Sequence, residues 1–449
     1  MAKTRNITKE DIFIKARMLS EGVCIQGLTE KVPPGLRDIS VRETKGDLSD
    51  IEIPEKLDYN DVDEIMELAY KSTLQRTTNL AGFSTLILDD SGLLAPITPN
   101  KHSRLDLIIK GETVTVSDGG EVLITGRFPK RPKWLDAKLS NGLPIEAALP
   151  AASAGIINVV FSLSCMNYNT KRGCRYCNLF ANPVSRKIIM LPKETLRQYS
   201  KYQAEAVQIA TDHGWRGTIA ISGGALPPCH RPEYLERMGI VLSMLREYVG
   251  EETLKELRLV YNHYPPEDFS DMYKWKEMGI DAVSIDIEVM DSAYFAAICP
   301  GKSAYKPHAW WKKAQEAAVD VFGPGRSTGC IVMGIEPMST LLKGTDERLS
   351  KGIIPIPLVF VSAPGAAYWG FRPPTAEWIV KASEKIADAI QKHASKFLGP
   401  NALKRMGSRA NKKDSKSTQS THRTVVFDEL QRRLQMLGEL MKPRKKRKN

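Results

Sequence analysis

No run of 18 or more apolar residues occurs in this 449-residue chain, and a helix needs about that length to cross a bilayer. A membrane span is therefore not expected. The opening Met-Ala-Lys-Thr-Arg-Asn leads into no apolar stretch of the kind a secretory signal carries. Cysteine is scarce: there are seven, an odd number in a long chain. That argues against a disulfide scaffold, and free or metal-bound thiols in a reducing, cytoplasmic setting are expected instead. The body also lacks an excess of either charge. Residues 396–449 hold 16 Lys and Arg against 4 Asp and Glu, while the remaining residues balance at 48 of each, so the tail carries the whole net charge of +12. A neutral body offers no electrostatic footprint for a nucleic-acid duplex. The ending Lys442-Pro-Arg-Lys-Lys-Arg-Lys-Asn449 reads as a solvated tail, with RNA, anionic lipid or an acidic partner as its alternative contacts.

What is present is enough apolar residue, 42%, to fill one large domain and a smaller one. The pattern divides the chain at about 1–150, 151–398 and 399–449. In the first part Asp61–Thr77 has helical spacing, with Val62, Ile65, Leu68 and Ala69 on one face. Short β-prone runs follow at Ser84–Leu88, Leu105–Lys110, Thr113–Ser117 and Val122–Arg127, with Gly111-Glu112 and Asp118-Gly119-Gly120 as turns. An N-terminal α+β extension is expected, structural or substrate-covering.

From Ile156 the pattern alternates. Strands are expected at Ile156–Ser162, Thr218–Ser222, Leu257–Asn262, Ala282–Glu288, Ser327–Met333 and Ile356–Ser362. Helices are expected at Lys193–His213, Arg231–Val249, Pro266–Met278, Lys306–Val321, Thr340–Lys351 and Thr375–Lys396. Apolar strands alternating with amphipathic helices imply an α/β fold with a parallel sheet, here a curved sheet or (β/α)6 partial barrel of TIM type. In such folds the active site is built from the loops at the C-terminal edge of the strands. After Pro400, Asn401–Thr424 reads as a disordered linker. Val425–Met441 reads as one amphipathic helix, docked on the body, a partner or a membrane surface.

Cys165, Cys174 and Cys177, spaced C-x8-C-x2-C, follow the first of these strands. Three clustered thiolates can hold three irons of a cubane cluster and leave the fourth iron open. A structural zinc ion would want a fourth ligand, with Cys229 or His230 available, and unrelated buried cysteines are a third reading.

The arrangement resembles the radical S-adenosylmethionine (radical SAM) superfamily over roughly Ile156–Lys396. The resemblance implies a [4Fe-4S] cluster on Cys165, Cys174 and Cys177, whose fourth iron binds S-adenosylmethionine. Reductive cleavage would yield a 5′-deoxyadenosyl radical that abstracts hydrogen from an organic substrate. The family's commonest spacing is C-x3-C-x2-C; the eight-residue gap is an atypical departure. Tyr176, just before the last cysteine, matches the family's aromatic near the adenine. Gly223 and Gly224 in Ile221-Ser-Gly-Gly224 match a glycine pair whose backbone receives the methionine amino group. The usual acidic residue after that pair is absent, being Ala225 here. Alternation puts Ser284, Asp286 and Glu288 on one strand face, and Asp286 and Glu288 match the ribose-binding position. Gly329-Cys-Ile-Val-Met-Gly334-Ile-Glu336 resembles, one residue out of step, a fifth-strand pattern in which Ile331 or Gly334 supports the adenine. Ile298-Cys-Pro-Gly-Lys302 is similar to the biotin-synthase-like branch.

Other residues have a structural and a functional reading side by side. Cys330 reads as core, and Cys229 and Cys299 as candidates for a second cluster, a radical quench or a nucleophile. Asn262 or His263 can face the cavity, with His263 binding substrate or satisfying a loop carbonyl. The aromatics and Arg372 of Ser362–Arg372 can shape a pocket or pack on the last helix. The expectation is an enzyme acting on a small molecule or cofactor precursor by rearrangement, methylation or sulfur insertion, with ferredoxin or flavodoxin as electron donor. A tRNA-modifying enzyme using the basic tail, or a non-catalytic zinc or iron–sulfur binding protein, is the alternative.

Overall fold

The computed structural model describes residues 5–26, 58–76, 85–111, 113–129, 132–149, 151–152, 155–179, 190–363, 365–398 and 424–440. Ser84, Glu112, the linker 401–423 and the basic ending 442–449 lie outside the described residues. Two sheets organise the rest.

The first sheet opens with helix α1 (Lys9–Ser20) and strand β1 (Cys24–Gln26). Helix α2 (Val62–Arg76) follows, then β2 (Thr85–Leu88), β3 (Leu94–Pro96), β4 (Leu105–Lys110), β5 (Thr113–Asp118) and β6 (Glu121–Arg127). The order is β1-β4-β5-β6-β2-β3, with only β1 and β4 parallel. Helix α1 and the short strands β1 and β3 escape the sequence pattern. A Thr8–Asp11 capping box fixes the start of α1, each side chain bonding to the other's backbone N–H.

The second sheet begins with the two-residue β7 (Ala151–Ala152), antiparallel to β8 (Ile156–Ser162). Then β8, β9 (Thr218–Gly223), β10 (Arg258–Asn262), β11 (Ala282–Ser284), β12 (Ser327–Met333) and β13 (Ile353–Val359) lie side by side in chain order, all parallel. The crossovers are helical, the longest being Lys193–Asp212, Tyr234–Val249, His308–Phe322 and Met338–Ser350. Consecutive crossovers of one hand place their helices on one face of the sheet. The chain is thus α/β, and every strand from β8 to β13 delivers its C-terminal end to the same edge.

Three boundaries differ from the sequence reading for physical reasons. The β11 ladder stops at Ser284 rather than Glu288. The Asp286 carboxylate accepts from the Cys330 N–H at 2.8 Å, a donor that a strand carbonyl would otherwise take. Glu288 then sits at φ 66°, in the left-handed region, before re-pairing with Ile331. The last strand lies three residues early, over Ile353–Val359, and contains Pro355 and Pro357. Both share one register parity, so their missing N–H groups face outward on an edge strand and cost no ladder bond. The helix expected from Pro266 runs only from Asp271 to Glu277, after Pro265-Pro266.

The long helix Ala376–Leu398 and the final helix Val426–Leu440 close the body. The final helix docks on the body: Val426 and Leu430 join the main core, and Lys15 of α1, fully buried, pairs with Asp428 at 2.6 Å and donates to the Thr424 carbonyl. Among the described residues no helix is long and apolar enough to cross a membrane.

A buried ion pair that loses one partner leaves an uncompensated charge. Asp428→Ala should therefore lower the free energy of unfolding by about 3 kcal/mol, read by chemical denaturation. The double replacement Lys15→Met with Asp428→Leu should recover most of that loss.

Candidate active site

The loop after β8 carries Cys165, Cys174 and Cys177, and main-chain hydrogen bonds from three other strand-end loops hold it. Met166 N–H donates to the Ala225 carbonyl after β9 at 2.9 Å. Arg175 N–H donates to the Ile298 carbonyl, and Gly301 N–H to the Arg172 carbonyl, both at 2.9 Å. Tyr368 N–H, in the loop after β13, donates to the Arg175 carbonyl at 2.8 Å. Within the loop a short helix, Met166–Asn169, turns the chain, and the Tyr168 hydroxyl donates to the Cys177 carbonyl.

Two glycines permit this packing. A Cβ on Gly224 would lie 2.1 Å from the Ser164 carbonyl oxygen and 2.6 Å from the Cys165 Cβ. A Cβ on Gly301 would lie 2.3 Å from the Asn167 side chain. The end of β9 is therefore pressed directly onto the first cysteine.

The three thiols share one electrostatic environment. Burial pushes the Cys165 pKa up, opposed by N–H donation from Ala225 and Asn167 to its sulfur, and the charge of Cys174 raises it further. Burial, with the charge of Cys174, pushes Cys177 up to about 11, although Tyr168 and the Leu179 N–H favour its thiolate. Cys174 is held below the ordinary thiol value, first by a hydrogen bond from the Cys299 thiol, with burial opposing and the Lys302 charge assisting. The Tyr176 hydroxyl lies between Cys174 and Glu288, hydrogen-bonding with each.

Lys302 is the residue that the sequence reading missed. Its ammonium is buried, pairs with Glu288 at 2.6 Å and donates to the Asp286 carbonyl oxygen at 2.7 Å. Burial works to lower its pKa, but Glu288, Cys174 and Asp286 outweigh that and keep it charged. Burial in turn lifts Glu288, with Lys302 opposing. The sequence reading named Lys302 only as the end of Ile298-Cys-Pro-Gly-Lys302 and gave it no role, because nothing local shows that the helix Pro300–Tyr305 buries its ammonium against Glu288.

The two carboxylates already have protein partners. Asp286 Oδ1 accepts from Ser284 Oγ and the Cys330 N–H, and Oδ2 accepts from Asn262 Nδ2 at 2.9 Å. His263 points back to the protein, its Nε2 bonding with the Gly224 carbonyl at 2.9 Å, and burial pushes its pKa down to about 4. Of its two readings the loop-carbonyl one holds in this structure. Ile331 is buried, and Gly334 packs against Pro374 at φ 98°. Glu336 accepts from the Met290 and Asp291 N–H groups and serves the loop after β11. Cys229 is exposed, and its neighbour His230 pairs with Glu233. Among the described residues no three Cys, His, Asp or Glu side chains are laid out to ligate a single ion. Thiols with N–H donors on the sulfurs of Cys165 and Cys177, and the buried Lys302 ammonium nearby, are a donor set compatible with an iron–sulfur cluster.

No family model matches the chain. A bacteriochlorophyllide c C-7(1)-hydroxylase from Chlorobaculum limnaeum is 39% identical to it over 404 residues, spanning 89% of this chain and 89% of that protein. The chain belongs to the radical SAM superfamily. It is accordingly an enzyme, and its superfamily works with a [4Fe-4S] cluster and S-adenosylmethionine.

The contact at Gly224 is testable without any cofactor. Gly224→Ala must displace the Ser164–Cys165 backbone and should cost about 2 kcal/mol in a denaturation series. Gly239→Ala, inside the helix Tyr234–Val249 with its nearest neighbour 3.5 Å away, should instead be neutral or stabilise by about 0.5–1 kcal/mol. Equal effects at the two positions would contradict the close approach.

Proposed function

We propose that this radical SAM enzyme removes a hydrogen atom from an alkyl substituent of a planar tetrapyrrole related to bacteriochlorophyllide, as the first step of hydroxylation. One observation carries the substrate class: the 39% identity to the hydroxylase extends over 89% of both chains. That relative favours hydroxylation over methylation, rearrangement or sulfur insertion. The tRNA alternative rests on the basic tail, outside the described residues, and has no structural observation behind it.

In this reading Cys165, Cys174 and Cys177 hold the cluster. When bound, the cluster and S-adenosylmethionine supply a one-electron cleavage of the sulfonium and a carbon-centred hydrogen abstractor. A ferredoxin or flavodoxin delivers the electron. The backbone of Gly223 and Gly224, bare of Cβ atoms, receives the methionine amino group. The ribose hydroxyls would meet lone pairs of Asp286 and Glu288 not taken by Asn262, Ser284, Cys330, Lys302 or Tyr176. Tyr176 lies at the adenine side. The six parallel strands, β8 to β13, form the (β/α)6 partial barrel. Boundaries near 150 and 398 set off the N-terminal extension and the C-terminal segment.

Substrate arrives at the rim of this edge. Trp369 and Phe371 are 56% and 57% exposed there, and the bond from Tyr368 N–H to the Arg175 carbonyl ties their loop to the cysteine loop. Tyr368 and Phe371 stack with ring centroids 4.6 Å apart. Flat, exposed aromatics tied to the loop of half-buried thiols suit a flat apolar ring system.

Two measurements test the reading. Anaerobically reconstituted protein should carry about four irons per chain and form 5′-deoxyadenosine from S-adenosylmethionine under reduction. Cys174→Ala should lose both together, and retained cleavage would refute the ligand assignment. Trp369→Ala should keep the iron and the uncoupled cleavage but weaken binding of a chlorin probe about fivefold, the worth of one aromatic contact; unchanged binding would remove the loop from the substrate site.

A further inference from the structure

Arg231 is a cation with no charged partner among the described residues. It sits half-buried in the short turn Pro228–Glu233 that follows β9. Its guanidinium carbon lies 4.1 Å from the centre of the Tyr305 ring, a cation–π contact that holds the planar group in place. Tyr305 is itself fixed, with Tyr264 and Trp310 at ring-centroid distances of 5.5 and 5.6 Å. The Arg231 Nε is buried and meets no acceptor among the described residues, and Nη2 reaches only the Met166 sulfur, at 4.0 Å. A buried donor of a charged group is costly to leave unpaired. The neighbouring acids are engaged elsewhere. Glu233, in the same turn, pairs with His230 at 2.8 Å and with Arg237 at 3.2 Å. Glu267, in the loop after β10, pairs at 3.7 Å with Lys306, the residue after Tyr305.

This cation stands at the cysteine loop. Met166 directly follows Cys165, and its N–H is bonded to the Ala225 carbonyl, in the same strand-end loop as Arg231. The exposed rings of Trp369 and Phe371 belong to the loop tied to Arg175, near the other end of the cysteine loop. One end of the cysteine loop thus meets a cation and the other end flat aromatics. Stacking sets the plane of a bound ring but leaves it free to turn within that plane. A charge fixed at one edge removes that freedom.

We propose that Arg231 is a specificity-determining residue: its guanidinium binds a carboxylate of the substrate and so sets which alkyl substituent of the ring faces the cysteine loop. The planar fork of arginine suits a carboxylate, which it can meet with two parallel N–H bonds. The substrate is then a tetrapyrrole acid and not an ester. The proposal rests on the tetrapyrrole reading above and adds to it a charge the substrate must carry. S-adenosylmethionine also bears a carboxylate, so the experiment has to separate the two.

The test uses the full chain reconstituted with iron and sulfide and two probes, a chlorin monocarboxylic acid and its methyl ester, titrated at neutral pH by quenching of tryptophan fluorescence. Wild type should bind the acid about tenfold tighter than the ester, the worth of a hydrogen bond between charged groups. Arg231→Gln should bind both as the wild type binds the ester, and Arg231→Lys should keep part of the preference. Equal affinity of the wild type for acid and ester would overturn the proposal. So would a preference that survives in Arg231→Gln, and a fall in S-adenosylmethionine affinity alongside it would give the guanidinium to the methionine carboxylate. Folded wild type that binds neither chlorin would instead overturn the tetrapyrrole reading itself.

Discussion

A loop that carries three half-buried thiols on mostly irregular chain cannot hold its own shape, and main-chain hydrogen bonding to its neighbours does that work here. The segment from Cys165 to Cys177 contains one short helix and otherwise irregular chain. Its backbone is tied to the loop after β9, to the turn at Ile298–Gly301 and to the loop after β13. Those partners come from strands distributed across the sheet, and only a parallel sheet brings them all to one edge. Fold and site are therefore not separable. Shifting any of these strands lengthwise would break a bond to the cysteine loop.

The second constraint is charge. Asp286, Glu288 and the thiols gather potential negative charge in a region with little water, and Lys302 is the buried cation set against them. A buried ion pair adds little net stability by itself, because desolvation offsets much of the attraction. Its position is better understood as fixing geometry. The ammonium joins the Glu288 carboxylate to the Asp286 carbonyl and so holds the irregular chain between β11 and its bridge to β12. Aromatic rings close over it, with Trp311 at 5.2 Å and Tyr264 at 5.9 Å from the nitrogen.

Much of the second sheet could be read in advance because its strands are buried on both sides and its helices are strongly amphipathic. The spans Ile156–Ser162 and Ser327–Met333 agree residue for residue. The reading failed where side chains replace backbone partners. Asp286 takes over a ladder bond, so a seven-residue apolar alternation becomes a three-residue strand. Pro355 and Pro357 disguised a real strand, because their harmlessness depends on an edge that only the tertiary structure reveals. The spacing of the cysteines was visible, but not what surrounds them. The orientation of His263 toward Gly224, the engagement of Asp286, and the place of Lys302 all depend on contacts between residues 14 to 44 apart in sequence. Helix α1 was missed because Lys15 interrupts its apolar face, and Lys15 is buried only because Asp428 arrives from the other end of the chain.

The prolines of β13 have a consequence beyond strand placement. An open sheet presents a row of unpaired amide groups at each border, a template on which another chain can zip. At one border Pro355 and Pro357 remove two of the outward donors, and at the other β7 is, among the described residues, two residues long. Both borders of this sheet are therefore poor templates for a foreign strand.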